Sequence, residues 1–430
     1  MKNTTNLDNR TLVLITGLAL FSMFFGAGNL ILPPYLGWQS GHNWIVVAIG
    51  FLISAVCIPL LGILGHAKLR GTMIDFALPV SKNFAVFYCI CIYTISITLP
   101  SPRTAAVTHE LAVAPFFTVP SWITSLIYFS GVFGIAIFRS QLLSVLGKYL
   151  TPILVGICLL IIGLALVDSS ITSTNHTFET VFSGILEGYQ TFDAIGAIVV
   201  GGVLIISLQK VQQLPYSLVQ PLLSKAGLLA GLLLFIMYLG LIYTGSQIGP
   251  SLPSDSTRTQ VLLYLNTYFL GSTGAKVLAI CMTLACFSTA IGIVTGTADF
   301  VCGLFPRHKE MMYRSTVGVG CLLGIGIGQI DVHSILDLAI PMLAALYPLT
   351  ITLIFLALLP NQIRTPLLYR SSCIIVLLFS SLHVFEALGY SLSSYITDSL
   401  PLSEYQMSWV LPTTLVLILL STFELLKNRT

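Results

Sequence analysis

Ser22-Met-Phe-Phe-Gly-Ala-Gly-Asn-Leu-Ile-Leu-Pro-Pro34 sits inside an apolar run, 12–36, long enough to cross a bilayer. A membrane helix satisfies its backbone internally, so a break survives only where protein or a water-lined cavity accepts the freed groups. Gly26 and Gly28 favour unwinding, Asn29 offers a polar side chain, and Pro33-Pro34 mark the expected outer boundary. The stretch predicts a span broken near mid-depth. Close helix packing on small residues is the plain alternative for Gly26-Ala-Gly28, but a second interruption weighs against it. Glu187-Gly-Tyr-Gln-Thr-Phe-Asp-Ala-Ile-Gly196 places Gln190, Thr191 and Asp193 inside another apolar run.

At about 20 residues per crossing, apolar runs fall at 12–36, 44–66, 84–111, 121–138, 142–167, 185–208, 225–248, 275–303, 313–329, 335–359, 370–390 and 408–426. The broken runs are the first and sixth of these twelve. Five is odd, so a repeat of five helices must be inverted across the membrane. Interrupted helices at matching positions of inverted halves point to a secondary transporter's central site, where half-helix N-termini face an anion and freed carbonyls meet cations. The expected fold is an all-α polytopic membrane protein, one transmembrane domain of twelve helices. Residues 12–167 and 185–359 form the inverted repeats, and 370–426 adds two helices.

Composition excludes the rivals. The 430 residues are 56% apolar and 8% charged, against about 25% charged in soluble domains. Nineteen basic and sixteen acidic side chains cannot cover the roughly three soluble domains that length suggests. Disordered chains are charged and poor in aliphatics, and a dispersed net charge of +3 does not suit nucleic acid. The nine cysteines all lie in or beside apolar runs, with neither zinc spacing nor a disulfide framework. No Gly-x-x-x-x-Gly-Lys-Ser/Thr loop occurs. A polytopic membrane enzyme would need a charged interfacial cluster or a sizeable catalytic loop; neither is found, so the chain reads as no enzyme. The run from Leu12 is too long for a signal-peptide core and reads as a retained first span. With the N-terminus inside, sixteen Lys and Arg fall on the cytoplasmic side and only Arg103, Arg258 and Lys276 on the other. That bias predicts both termini in the cytoplasm.

Ionisable groups at mid-membrane are functional candidates. Asp193 offers an ammonium partner, part of a cation site, or a proton carrier. Ser288 and Thr289, in Ala285-Cys-Phe-Ser-Thr-Ala-Ile-Gly292, suit a hard cation such as Na+, although hydroxyls also bond back to the preceding turn. Pro100-Ser-Pro-Arg-Thr104 introduces Arg103, to bind an external carboxylate, form a gate pair with a loop acid, or pair structurally with Glu110. Asp299, Asp337 and Glu386 fall near span ends, His66, His308 and His333 read as interfacial, and Pro341 and Pro348 should kink the tenth span.

Five ordered motifs, Gly26–Gly37, Pro102–Ala105, Gly188–Ala194, Ala285–Gly292 and Ile340–Pro348, resemble the bacterial branched-chain amino acid:cation symporter family. The resemblance implies the LeuT-like inverted-repeat fold, uptake of leucine, isoleucine and valine with Na+ (or H+), and the bacterial cytoplasmic inner membrane. It implies no cofactor besides the coupling ion, and the bilayer rather than nucleic acid as surroundings. The first break is also similar to the Gly-x-Gly-Asn stretch of sodium-coupled amino acid symporters. By that likeness Gly26, Ala27 and Gly28 meet the substrate carboxylate, and Asn29 meets substrate and one sodium. The carbonyls of Ser22, Phe25 and Ala285 with the hydroxyls of Ser288 and Thr289 hold a second. Phe24, Phe192 and Tyr93 are expected around the aliphatic side chain, with Asp193 near the ammonium. Leu32 and Pro33 stand where the neurotransmitter relatives have Arg-Phe, so the outer gate does not carry over. The family's Gly-Pro pair is absent between Tyr93 and Pro102, so the side-chain pocket, and with it substrate choice, is less closely implied than the fold.

Overall fold

The computed structural model describes residues 9–138, 145–167, 180–211, 214–248, 252–253, 255–389 and 400–427. They form helices α1 (Asn9–Phe24), α2 (Ala27–Ser40), α3 (Trp44–Leu52), α4 (Ile58–Leu69), α5 (Ile74–Ala77), α6 (Lys82–Thr98), α7 (Pro100–Thr108), α8 (Ser121–Ile137) and α9 (Thr151–Val167) in the first part. Then follow α10 (Val181–Tyr189), α11 (Asp193–Ile206), α12 (Tyr216–Ser246), α13 (Arg258–Leu270), α14 (Gly274–Leu304), α15 (Lys309–Ile327), α16 (Val332–Leu358), α17 (Pro366–Ala387) and α18 (Val410–Lys427). No strand occurs among the described residues.

Eight helical stretches among the described residues are long and apolar enough to span a membrane, nine when α10 and α11 are taken as one bent span. Two apolar helices, α1 and α8, are shorter. The bundle's outer faces are themselves apolar: Phe87, Ile127, Leu166, Leu322 and Leu426 are all more than 60% exposed. Side chains of that kind on so many helices need hydrocarbon around them.

Both interruptions are present as helix breaks. Helix α1 stops at Phe24, Gly26 is extended (φ −104°, ψ −159°), and α2 restarts at Ala27. Asn29 Oδ1 accepts from the Gly26 N–H at 3.3 Å, so a residue of the new helix caps its own start. Helix α2 runs through Pro33 and Pro34 to Ser40, so the prolines do not bound the break as expected. They sit within the helix, where their missing N–H groups leave the carbonyls of Asn29 and Leu30 without the usual donors four residues on. The second break separates α10 from α11 by a 45° bend, with Phe192 left-handed at φ 64°, a conformation bulky residues rarely adopt.

The packing is reciprocal. Helices α1 and α2 lie against α12, while α10 lies against α3 and α11 against α4. At one end Lys68 Nζ donates to the last carbonyls of α16, Leu358 and Leu359, both at 2.6 Å, as a cation at a helix C-terminus should. His66 is fully buried rather than interfacial; its ring nitrogens face the carbonyls of Gly71 and Ile198, each at 2.9 Å. Prolines 341 and 348 lie inside one continuous helix, α16.

Candidate functional site

The two breaks face a shared cavity, about 40 Å³ as space open to the centre of a water molecule. Its wall includes Gly26 to Asn29 from the first break, Thr191 to Asp193 from the second, and Arg103 and Thr104 from α7. The apolar side is Phe24, Phe192, Ile195, Val199, Val200 and Ile293.

A buried polar triangle ties the halves together. Asn29 Nδ2 donates to Asp193 Oδ2 at 2.6 Å and meets the Tyr238 hydroxyl. Tyr238 in turn donates to the same Asp193 oxygen at 2.9 Å. All three are buried, Asp193 at 3% exposure. Asp193 opens α11, where the helix dipole favours a carboxylate, and its own N–H reaches Thr191 Oγ1 at 3.3 Å. The next amide, Ala194, donates to the Tyr347 hydroxyl at 3.3 Å.

Behind the first break lies an oxygen cluster. Ser288 Oγ donates to the Ser22 carbonyl at 2.6 Å and to the Ala285 carbonyl at 3.0 Å. Thr289 Oγ1 donates to the Met23 carbonyl at 3.2 Å. Five oxygens from α1 and α14 thus converge with no carboxylate among them, and each hydroxyl keeps lone pairs to offer. A Cβ on Gly26 would stand 2.5 Å from Thr289 Oγ1, so glycine is what allows the break to approach α14. Of the residues expected at a cation, Ser22, Ala285, Ser288 and Thr289 are together. The carbonyl that meets Thr289 is that of Met23; Phe25, expected there through its carbonyl, stacks its ring against Phe21 and Tyr238 at 5.0 and 5.9 Å, which does not bear on that carbonyl. Asn29 is on the cavity side.

Arg103 is buried in α7, whose start at Pro100 follows a break at Leu99. It does not pair with Glu110, whose Oε1 accepts instead from the Val332 N–H at 3.2 Å. Arg103 Nη1 donates to the Gln190 carbonyl at 3.3 Å, and the guanidinium lies 5.3 Å from the Phe192 ring centre. Tyr93, expected around the substrate side chain, is buried but not among the residues that line the cavity; it stacks on Phe300 at 4.7 Å.

Above the second break, Glu187 pairs with Arg258 of α13 at 2.8 Å and accepts from Gln190 Nε2 at 2.8 Å. Arg258 also lies 5.1 Å from the Tyr35 ring centre. Neither this pairing nor Tyr238 has a local sequence signal: Tyr238 is one of three tyrosines in a 31-residue apolar helix, and Arg258 lies 71 residues from its partner.

The model of the family described as branched-chain amino acid transport protein matches residues 9–427. The branched-chain amino acid permease BraB of Bacillus subtilis is 33% identical over 422 residues, spanning 93% of this chain and 92% of its own. The branched-chain amino acid transport system 2 carrier protein of Pseudomonas aeruginosa is 30% identical over 420 residues, spanning 95% and 94%. A solved Na+-coupled sialic acid symporter, in a substrate-bound outward-open state, shares the fold with a TM-score of 0.59 at 12% identity, over 96% of this chain and 89% of its own. The relatives are named permeases and carriers, and this chain is a transporter rather than an enzyme. With the family match running over nearly its whole length, the chain belongs to the branched-chain amino acid transport protein family.

Proposed function

We propose that the protein is a secondary active symporter that imports leucine, isoleucine or valine with Na+ by alternating access. In this reading twelve spans place both termini in the cytoplasm and the chain in the cytoplasmic inner membrane. The observation that carries it is the double duty of one broken helix. On one side its carbonyls at Ser22 and Met23 meet the hydroxyls of α14; on the other, Gly26 to Asn29 line the cavity. A cation bridging α1 and α14 would fix the turn whose amides receive the substrate, and the coupling is then reciprocal: each ligand tightens the other.

The amides at the start of α2 take the carboxylate, Asp193 and freed carbonyls take the ammonium, and Phe24, Phe192, Val199 and Ile293 surround the aliphatic side chain. A 40 Å³ space holds roughly a few waters, so admitting the substrate requires the broken segments to part. The driving force suffices. One Na+ crossing about 100 mV yields roughly 2.3 kcal/mol, and a tenfold gradient adds about 1.4 kcal/mol. Together they sustain roughly several-hundredfold accumulation.

A second reading, H+ coupling through Asp193, draws support from the burial of that carboxylate at the hub of the polar triangle. Proteoliposomes separate the two. A Na+ gradient alone, with pH clamped, drives leucine uptake if Na+ is the coupling ion; uptake driven only by a pH gradient overturns that assignment.

A further inference from the structure

Arg103 lines the cavity at 5% exposure, yet its bonds leave it under-used. Of a guanidinium's five donors, Nη1 reaches the Gln190 carbonyl at a long 3.3 Å, and the buried Nε has no partner. No carboxylate among the described residues lies within ion-pair distance of it. Asp193, on the same cavity, bonds only to neutral groups. The cavity therefore presents one basic and one acidic side chain with no ion pair between them. A buried charge held only by neutral groups is costly, and a ligand carrying both opposite charges would give each an ionic partner.

Arg103 also stands directly over the first break. A Cβ on Gly28 would lie 2.9 Å from its Nη2, so glycine leaves the backbone open toward the guanidinium at the second residue of α2, where N–H groups lack helical partners. We propose that Arg103 is the carboxylate-recognising residue: guanidinium and start-of-helix amides grip the substrate carboxylate together, while Asp193 holds the ammonium. The assignment rests on the symport reading and deepens it. It makes the ligand class α-amino acids with a free carboxylate, and it excludes the amides, esters and amines that share the same aliphatic side chain.

Leucine and leucinamide test this on the full chain in proteoliposomes, by displacement of radiolabelled leucine in saturating Na+. At about pH 6.5 the ammonium of both is held, since an α-amino group titrates near 7.7–8.0. In the unaltered protein leucinamide should bind at least about 30-fold more weakly than leucine, the loss expected on removing one partner of a buried charge pair. Arg103→Gln should weaken leucine by a similar factor while moving leucinamide less than about threefold, and Arg103→Lys should recover part of the leucine affinity. Leucine affinity unchanged in Arg103→Gln, or equal losses for both ligands, overturns the proposal. If Arg103→Gln does not fold, the unaltered protein decides, and leucine and leucinamide binding alike overturns it. Leucine failing to bind the unaltered protein overturns the symport reading itself.

Discussion

Ser288 and Thr289 carry the most direct residue-scale consequence. Each places a hydroxyl against a carbonyl of α1, so removing it deletes an oxygen from the proposed cation cluster and leaves that carbonyl without a donor. Ser288→Ala should raise the Na+ concentration for half-maximal uptake about tenfold, the equivalent of roughly 1.4 kcal/mol, with leucine affinity at saturating Na+ little changed. An unchanged Na+ dependence would remove the site. Asp193→Asn should act on the other axis, weakening leucine by about 30-fold while residual uptake stays Na+-driven; loss of cation dependence with affinity intact would favour the proton reading. Ser288, Thr289 and Asp193 were legible because polar groups are conspicuous in apolar runs. Tyr238 was not, since tyrosine is ordinary inside a long apolar helix and only the fold shows its hydroxyl on Asp193. Arg103 was visible as a charge, but its neighbour was not: nothing in Pro-Ser-Pro-Arg distinguishes Glu110, seven residues on, from the distant Gln190 carbonyl it meets.

Elements were legible where residues punctuate them. Glycine and a polar residue mark the first break, and Gln-Thr-Phe-Asp marks the second. The Pro33-Pro34 boundary was misplaced because proline's cost falls on the carbonyls four residues earlier, and here those carbonyls lie beside a break already open. The link between α10 and α13 is a further element-scale device. Glu187 is 5% exposed as a side chain and Arg258 24%, so the two partners are not equivalent. Arg258→Gln strands a nearly dry carboxylate and should cost toward the lower end of about 3–5 kcal/mol, the reduction reflecting Arg258's partial exposure. Glu187→Gln leaves an arginine able to reach water and stack on Tyr35, and should cost less. Thermal denaturation of the two variants in detergent checks the order; equal shifts would mean that the pair is screened and holds nothing.

The whole molecule adds what neither scale contains. Reading the two breaks as inverted halves rests on the odd spacing of the apolar runs; the first broken helix lies on α12 and the second on α3 and α4. That packing also bears on stoichiometry. Asn29, an ion ligand by resemblance, spends its side chain on Gly26, Asp193 and Tyr238, leaving the α1–α14 cluster as the assembled set of neutral oxygens beside the breaks among the described residues. A zwitterion carries no net charge, so one cation per cycle makes transport electrogenic by one charge. At steady state in proteoliposomes, the logarithm of leucine accumulation should then rise with slope one against the logarithm of the Na+ gradient. Abolishing about 100 mV at fixed gradient should lower the ceiling roughly 50-fold, the worth of about 2.3 kcal/mol. A slope of two would put a second ion in the cycle and return Asn29 to the cation side; a slope of zero with preserved voltage dependence would transfer the coupling to another ion altogether.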